Sequence, residues 1–172
     1  MTSKVIIALA NKSEFKELGE LVINVYSKLE GFPQPDVYPD YYSTLANFGE
    51  LVIDPSVKVF KAVYNQEILG MVIYFDNMEF YGSGGTAPEE KNAGGFRLLA
   101  VKESAKGKGV GRLLIEHCIS LAKDSQHQNL IIHSTEAMKT ARKIYDKYGF
   151  QRAVDLDFLH DGLDVFGYRL SL

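Results

Sequence analysis

A glycine-rich, basic segment lies between a strand pattern and a helix pattern, and it constrains the fold of this chain more than any other feature. The segment KGKGVGR occupies residues 106–112, after the apolar run FRLLAV and at the start of the helical pattern GVGRLLIEHCISLAKD. Glycine destabilises a helix and neighbouring cations repel each other, so packing alone does not explain three glycines and three basic residues in seven positions. The segment predicts a binding site for an anion.

The position of the segment indicates which kind of anion binds. A helix N-terminus has backbone N–H groups without acceptors and carries a partial positive charge. Glycines before such a terminus let phosphate oxygens approach the amides, and Lys106, Lys108 and Arg112 add mobile positive charge. We therefore predict a phosphate-binding turn. The alternative at this point is a flexible turn with solvated lysines.

Two common nucleotide-binding motifs are excluded by their spacing. The string G-x-x-x-x-G-K-[ST] of the P-loop does not occur in the sequence. A dinucleotide fingerprint counted from Gly107 and Gly109 would place its third glycine at Arg112. The acidic residue that binds the ribose is also missing, because the next strand pattern, NLIIHS, ends with His133 and Ser134.

Composition limits the remaining classes. The chain has 172 residues, 46% of them apolar, and a net charge of −3, which argues against a nucleic-acid-binding protein. Its single cysteine, Cys118, excludes an intrachain disulfide and a multi-cysteine zinc site. The apolar run near the N-terminus is six residues long, too short for a signal peptide or a membrane span. We expect a cytoplasmic protein that does not act at a membrane.

The patterns along the chain predict a single α/β domain over residues 1–172. A helix is expected from an N-cap at Ser13 to about Leu29, and another over about 41–51. A hairpin turns near Asn65, and the segment 77–95 has the composition of a long loop that borders a binding site. The remaining strand patterns are KVIIALA, FRLLAV, NLIIHS, VDLDFL and DVFGYRLSL, and the remaining helix patterns are GVGRLLIEHCISLAKD and EAMKTARKIYDKYGF.

The glycine segment also resembles a known motif. The stretch LAVKESAKGKGVGRLLIEHC is similar to the acetyl-CoA-binding motif of GNAT-fold N-acetyltransferases, whose core pattern is [QR]-x-x-G-x-[GA]. This pattern falls on Lys106, Gly109 and Gly111, so a lysine replaces the usual glutamine or arginine and keeps the positive charge.

A second block supports the same resemblance. HSTEAMKTARKIYDKYGF is similar to the family's helix N-x-x-A-x-x-x-Y-x-x-x-G-F, which is matched at Ala141, Tyr145, Gly149 and Phe150. Met138 stands where many members have asparagine. FRLLAV and GYRLSL resemble a bacterial subgroup of members without an assigned function. Two separate motifs occur in the expected order and spacing, so the chain is identified as a member of this family.

The resemblance implies a fold and a cofactor. It implies a mixed, mostly antiparallel sheet of about seven strands, flanked by about four helices and splayed between FRLLAV and NLIIHS. Acetyl-CoA would enter the gap, with its pantetheine amides paired to the backbone of Leu99, Ala100 and Val101. Its pyrophosphate would be wrapped by the backbone of Gly107 to Arg112. The residues implied to bind the cofactor are therefore Leu99, Ala100, Val101, Lys106, Gly107, Lys108, Gly109, Val110, Gly111, Arg112, Ser134, Met138 and Ala141.

The resemblance also implies a reaction. Members transfer an acetyl group from acetyl-CoA to an amine by direct attack, and Tyr145 aligns with the tyrosine that serves as general acid. The alternative role for Tyr145 is packing, since it shares an apolar stripe with Ile144 and Tyr148. No general base is evident, because Gly94 and Gly95 stand where many relatives place a glutamate.

The sequence constrains the acceptor substrate less than any other part of the predicted reaction. Glu79, Asp76 and Asp157 are open candidates for the base, and Glu79 and Arg97 for contacts to the substrate. A buried arginine requires an anion, so Arg97 allows a carboxylate-bearing acceptor. Tyrosines and phenylalanines over 26–50 either line an acceptor pocket or cover the core. His133 and His160 do not have the pattern of a metal site, and no metal is expected.

Two functional hypotheses remain open on the sequence. The first is an acetyl-CoA-dependent N-acetyltransferase that acts on a primary amine of a small molecule or a peptide. The second is a non-catalytic acyl-CoA-binding module that regulates or recruits a partner. The glycine segment fits both, retention of Tyr145 favours the enzyme, and the missing glutamate favours the module. A third hypothesis, a nucleotide-binding regulator, is the least favoured. Many members of the family dimerise, so a homodimer is compatible with the resemblance.

Overall fold

A computed structural model describes residues 4–172 of this chain, which form a mixed sheet covered by helices. The strands are β1 (Ile6–Leu9), β2 (Val57–Tyr64), β3 (Glu67–Phe75), β4 (Ala93–Val101), β5 (Asn129–Ser134), β6 (Gln151–Arg152), β7 (Phe158–His160) and β8 (Leu163–Ser171), and the helices are α1 (Phe15–Ser27), α2 (Pro39–Ala46), α3 (Val110–Asp124) and α4 (Lys139–Tyr148). Among these described residues, no helix combines the length and the apolar character needed to cross a bilayer.

The sheet is mostly antiparallel, as the resemblance implied. Its strand order is β1-β2-β3-β4-β5-β8-β6, with β7 paired to β8 outside this path. Within the described residues the pair β4–β5 is parallel, and the other neighbouring pairs are antiparallel. The expectation of about seven strands is corrected to eight, because β8 is long enough to pair with two very short strands, β6 and β7.

The sheet opens between its two central strands. β4 and β5 pair only where Ala93–Gly95 faces Asn129–Ile131, although both strands continue beyond this point. A β-bulge in β4 accompanies the divergence: Leu98 has a φ of +54°, and two residues of β4 oppose one residue of β3. The predicted splay is therefore present, and it leaves a gap between the outer halves of β4 and β5.

Gly95 allows the close packing at the base of this gap. A Cβ atom at this position would lie 2.8 Å from the Tyr81 ring and 3.0 Å from the carbonyl oxygen of Ile131. A glutamate at Gly95 would clash with both groups. The chain thus has an aromatic ring beside the position where, according to the resemblance, many relatives have a glutamate.

Alternation along the strands divides the core into two layers. Residues such as Met71, Ile73 and Phe75 of β3 pack with α1 and α2 on one face of the sheet, whereas Val72 and Tyr74 pack with α3 and α4 on the other. This alternation with a period of two is what an amphipathic pleated strand requires. The gap in the sheet therefore opens toward both layers.

Most local predictions are confirmed, with corrections at the helix ends and in the strand predicted over VDLDFL, where Val154–Leu156 forms a 3-10 turn and β7 begins at Phe158. The cap at Ser13 is wrong: residues 12–14 form a 3-10 turn in which the Asn11 N–H donates to the Glu14 carboxylate at 2.8 Å. Pro39 starts α2 two residues earlier than expected, and this helix ends at Ala46 before a second 3-10 turn.

The predicted end of α4 is confirmed. Gly149 has a φ of +90°, and the N–H of Phe150 donates to the Tyr145 carbonyl at 3.1 Å, which is the expected glycine-terminated helix end. This termination fixes where Tyr145 lies relative to the sheet. The long irregular segment is also confirmed, with only two short 3-10 turns between β3 and β4.

Candidate active site

A large cleft occupies the gap between β4 and β5. Its volume is about 1240 Å³, and its lining comes from β4, the turn before α3, the end of β5, α4, the α1–α2 connection and the β7–β8 turn. Of the predicted site residues, the structure brings to this lining Arg97, Leu99, Ala100, Val101, Lys106, Gly107, Gly109, Val110, Gly111, Arg112, Ser134, Met138, Ala141 and Tyr145. Lys108 and Glu79 do not line it.

The glycine turn adopts a backbone conformation that glycine favours. Gly107 and Gly109 have φ values of +77° and +79°, in the left-handed region that side chains rarely adopt. No heavy atom lies within 4 Å of a Cβ placed at either glycine, so the space above the turn is open. The turn therefore needs glycine for its conformation and leaves room for a ligand over its backbone.

The amides at the start of α3 have no acceptor in the protein. Among residues 4–172, no carbonyl or side-chain oxygen accepts a hydrogen bond from the backbone N–H of Gly109, Val110, Gly111 or Arg112. The N-cap is Gly109, which has no side chain that could supply one. These N–H groups and the helix dipole form an anion site at one end of the cleft.

Two of the basic side chains surround this anion site. Lys106 pairs with Glu103 at 2.8 Å, and the Arg112 guanidinium lies 3.7 Å from the Glu116 carboxylate. All four side chains are well exposed, so these ion pairs contribute little free energy and can be exchanged for a phosphate. Positive charge therefore surrounds amides that lack acceptors.

The free edge of β4 forms one wall of the cleft. Beyond Gly95 this edge has lost β5 as a partner, and Leu99, Ala100 and Val101 line the gap. The Tyr26 hydroxyl reaches across from α1 and donates to the Leu99 carbonyl at 3.3 Å. An extended ligand with amide groups could pair with this edge as an added strand does.

Tyr145 lies deep in the cleft with its hydroxyl unpartnered. The residue is 5% exposed, and its ring packs against Phe96 and Phe150 with centroid distances of 6.0 Å and 5.6 Å. In the described part of the chain its hydroxyl makes no hydrogen bond. Burial raises the pKa of the Tyr145 phenol, so the group carries its proton at neutral pH and holds it more strongly than a solvent-exposed tyrosine does.

The opposite wall, at the end of β5, has two more unpartnered hydroxyls. Ser134 and Thr135 are 1% and 4% exposed, and neither side-chain oxygen has a hydrogen-bond partner in the described chain. A buried hydroxyl without a partner destabilises a protein by about 1–3 kcal/mol. Ser134 was predicted from the resemblance, whereas Thr135 was missed because a threonine after a strand has no distinctive sequence signal.

A hydrogen-bonded chain runs along the α1–α2 side of the cleft. The Arg97 guanidinium donates to the Tyr81 carbonyl at 2.9 Å, and the Tyr81 hydroxyl lies 3.1 Å from Nδ1 of His133. Nε2 of His133 donates to the Leu156 carbonyl at 2.9 Å, which leaves Nδ1 as the acceptor for Tyr81. Burial lowers the pKa of His133, so the ring is neutral. Tyr81 was not predicted because only the tertiary fold brings these residues together.

An aromatic wall completes this side. Phe32, Tyr38 and Tyr41 line the cleft, and the Tyr41 ring packs at 5.8 Å from both Phe32 and His160. The Tyr38 hydroxyl donates to the His160 carbonyl and, at 2.7 Å, to the carbonyl of Asp161. Some of the aromatic residues within 26–50 therefore line the cleft. Nothing in the sequence around these aromatic residues predicts that His160 packs beside them, since His160 comes from the end of β7.

The acidic candidates for a general base lie elsewhere. The Asp76 carboxylate accepts from the Tyr74 hydroxyl at 2.8 Å and faces Nε2 of His127 at 3.0 Å, outside the cleft. Asp157 pairs with Arg152 at 2.7 Å, and Glu79 lies in a turn away from the lining. The structure thus brings none of these three carboxylates to the cleft.

Comparison with solved structures places the fold among known acetyltransferases. The chain is similar to a GNAT-family acetyltransferase from Staphylococcus aureus, with 17% identity, 98% and 99% of the two chains covered and a TM-score of 0.73. It is also similar to PaiA N-acetyltransferase from Thermoplasma acidophilum in complex with coenzyme A, with 13% identity, 98% and 99% coverage and a TM-score of 0.74. YncA from Salmonella typhimurium, solved with its cofactor acetyl-CoA, shares 14% identity over 97% and 93% of the chains, with a TM-score of 0.65.

At such identities the likeness shows the fold, and a family model adds the sequence evidence. No curated protein sequence matches the chain. The model of the acetyltransferase (GNAT) domain matches residues 35–172, which include the glycine turn, both walls of the cleft and Tyr145. This protein therefore belongs to the GNAT acetyltransferase family.

Proposed function

We propose that the chain is a single catalytic domain that transfers the acetyl group of acetyl-CoA to a primary amine of a small molecule or a peptide. One observation carries the proposal: the same cleft has amides without acceptors at one end and the unpartnered Tyr145 hydroxyl at its centre. Similar folds from Thermoplasma acidophilum and Salmonella typhimurium hold coenzyme A or acetyl-CoA. Acetyl-CoA is accordingly the cosubstrate.

The protein groups fit the two polar parts of acetyl-CoA. The pyrophosphate binds to the amides from Gly107 to Arg112, where a helix terminus favours negative charge. The pantetheine arm lies along Leu99, Ala100 and Val101 and brings its amides within reach of the Ser134 and Thr135 hydroxyls. Lys106 and Arg112 supply positive charge for the phosphates, whereas the predicted role of Lys108 is not retained because its side chain does not line the cleft. Met138 and Ala141 contribute apolar surface at α4.

The chemistry follows from this placement. The neutral amine attacks the thioester carbon, and the C–S bond breaks as the tetrahedral intermediate collapses. The departing sulfur receives the proton of Tyr145, and the attacking nitrogen gives up one proton to water. A proton from water then restores the Tyr145 phenol for the next turnover. Among residues 4–172 the carboxylates of the lining are exposed, so the incoming ammonium loses its proton to water that leads to the bulk solvent rather than to a dedicated buried base.

Release of coenzyme A thiol tests the proposal. Purified protein with acetyl-CoA and a panel of primary amines should show saturable thiol release above the hydrolysis measured without amine, together with an acetylated amine by mass spectrometry. Calorimetry should show that acetyl-CoA binds with a 1:1 stoichiometry. Binding without turnover on any amine would instead identify the non-catalytic acyl-CoA-binding module, and absence of binding would refute both functions.

A further inference from the structure

Arg97 differs from the other arginines of this chain in its partners. Among residues 4–172 it forms no ion pair with a carboxylate, and one of its N–H groups donates to the backbone carbonyl of Tyr81. The other arginines all have acidic partners: Arg112 with Glu116, Arg142 with Glu136, Arg152 with Asp157, and Arg169 with Glu90 and Asp155. The arginine without an acid is the one that lies in the middle of the cleft.

The guanidinium of Arg97 is held in a fixed orientation. Its hydrogen bond to the Tyr81 carbonyl is 2.9 Å, and its central carbon lies 5.7 Å from the centroid of the Tyr81 ring. Gly82 leaves it room, since a Cβ atom there would be 3.2 Å from Nη1. A guanidinium has five N–H donors, so most of them remain available to a ligand in the cleft.

The groups around Arg97 are neutral. Burial raises the pKa of Tyr26, raises that of Tyr41 to about 12 and lowers that of His133. The positive charge of Arg97 also acts on all three groups: it favours ionisation of the two phenols and disfavours protonation of the imidazole. None of them is an anion at neutral pH. The acidic side chains of the lining, Glu30, Asp40, Glu116 and Asp161, are exposed and none pairs with Arg97.

A half-buried cation without a counter-ion is costly unless a ligand supplies one. A carboxylate matches a guanidinium especially well, because its two oxygens accept two parallel N–H bonds. Arg97 follows Phe96 on β4, and because successive side chains point to opposite faces, it lies on the α1–α2 side while Phe96 packs against Tyr145. This is the side of the cleft that the glycine turn and α4 leave for the acceptor.

We propose that Arg97 binds the carboxylate of the acceptor, so that the acetylated compound is an amine of the amino-acid class. The inference rests on the proposed acetyl transfer, which it makes more specific. Recognition through two N–H bonds places the acceptor between the Arg97 guanidinium and the thioester. The aromatic wall of Phe32, Tyr38 and Tyr41 then faces the rest of the acceptor.

Binding measurements test this without requiring turnover. N-acetyl-L-amino acids with small, aliphatic, aromatic and acidic side chains are titrated into the coenzyme A-loaded protein, each beside its carboxamide. We expect at least one acid to bind at least tenfold more tightly than its amide. R97M should abolish this preference, and R97K should lower the ratio of acid affinity to amide affinity at least threefold. K58M is the control: it removes an exposed charge of β2 outside the cleft and should retain the preference.

The outcomes separate the inference from the proposed function. Acetyl-CoA affinity equal to that of the unmodified protein shows that R97M is folded. Equal binding of acid and amide, no binding of either, or a preference that survives in both Arg97 variants would overturn the inference. Acetylation of amines with no preference for a carboxylate would likewise refute it and leave acetyl transfer standing. Binding of acids through Arg97 with no amine acetylated would support the carboxylate site and refute the transfer reaction.

Discussion

The two halves of the cleft are built in different ways. The cofactor half consists of the glycine turn, the free edge of β4 and the end of β5, and it presents main-chain amides and small hydroxyls. The acceptor half consists of large side chains, among them Tyr41, Tyr81, Arg97 and His133, which four separate segments contribute. Backbone recognition does not depend on side-chain identity, so the first half constrains the sequence little. We propose that the second half determines the substrate.

The largest expected effect tests the cofactor half. Gly109→Asp puts a carboxylate beside the amides that we propose bind the pyrophosphate. Like charges about 4 Å apart repel by about 4 kcal/mol near a protein surface, so acetyl-CoA should bind roughly 1000-fold more weakly in calorimetry. Gly162→Asp is the matched control, since Gly162 also has positive φ and open space around it but belongs to the β7–β8 turn. An equal loss in both variants would mean that backbone strain, and not the phosphate site, is responsible.

The second prediction concerns Tyr145, which lies between the two halves. Tyr145→Phe removes the proton donor and keeps the ring packing, so kcat should fall about 100-fold, the scale of general acid catalysis. The hydroxyl makes no contact needed for folding, so Tyr145→Phe should keep the native structure of the cleft. Its acetyl-CoA affinity should therefore change by less than about twofold. Tyr74→Phe provides the control, as its hydroxyl is bonded to Asp76 outside the cleft. Unchanged kcat in Tyr145→Phe would assign that tyrosine to packing alone.

The third prediction returns to the cofactor half. Thr135→Val replaces a buried, unpartnered hydroxyl by a methyl group of similar size, so the free protein should be stabilised by about 1 kcal/mol in denaturant unfolding. If the pantetheine arm bonds to this hydroxyl as proposed, acetyl-CoA should bind about fivefold more weakly to Thr135→Val. Thr86→Val, whose hydroxyl donates to the Asp155 carbonyl at 3.0 Å, should instead destabilise the protein. Destabilisation by Thr135→Val would show that its hydroxyl is already satisfied.

The smallest expected effect tests the acceptor half. The pKa of His133 is lowered by burial from an ordinary value of 6.5, so below about pH 6.5 the unfolded chain binds more protons than the folded one. The stability from the neutral ring is present above this pH and is lost as the pH falls toward the folded pKa. The free energy of unfolding should therefore fall between pH 7.5 and 5.5, and less steeply in His133→Gln. Identical slopes in the two proteins would show that the ring is not held neutral.

Sequence reasoning succeeded where function resides in a continuous segment. The turn at Gly107 and Gly109 was predicted because glycines before a helix N-terminus let phosphate oxygens approach the amides, and its place before α3 was read from a period of 3.6 residues. The resemblance added the splayed sheet. The strand NLIIHS and the glycine end of α4 were predicted for the same local reasons.

The sequence was less informative about side chains that act at a distance. Asp76, Glu79 and Asp157 were reasonable candidates for the base, yet none lines the cleft, because each is held by its own local partners or turn. Conversely, Thr135 and Tyr81 line the cleft but were not predicted. Nothing in the residues next to them differs from the surroundings of an ordinary threonine or a core tyrosine.

The sequence alone thus determined most of the strands and helices, the glycine turn before α3 and membership in the family, since these follow from motifs and periodicities over a few residues. The tertiary structure decided the acceptor half. The Tyr38 hydroxyl bonds to a carbonyl 122 residues away, and Tyr81 lies 52 residues from the histidine it contacts. Contacts over such separations depend on how the layers pack on the sheet, which local sequence does not determine.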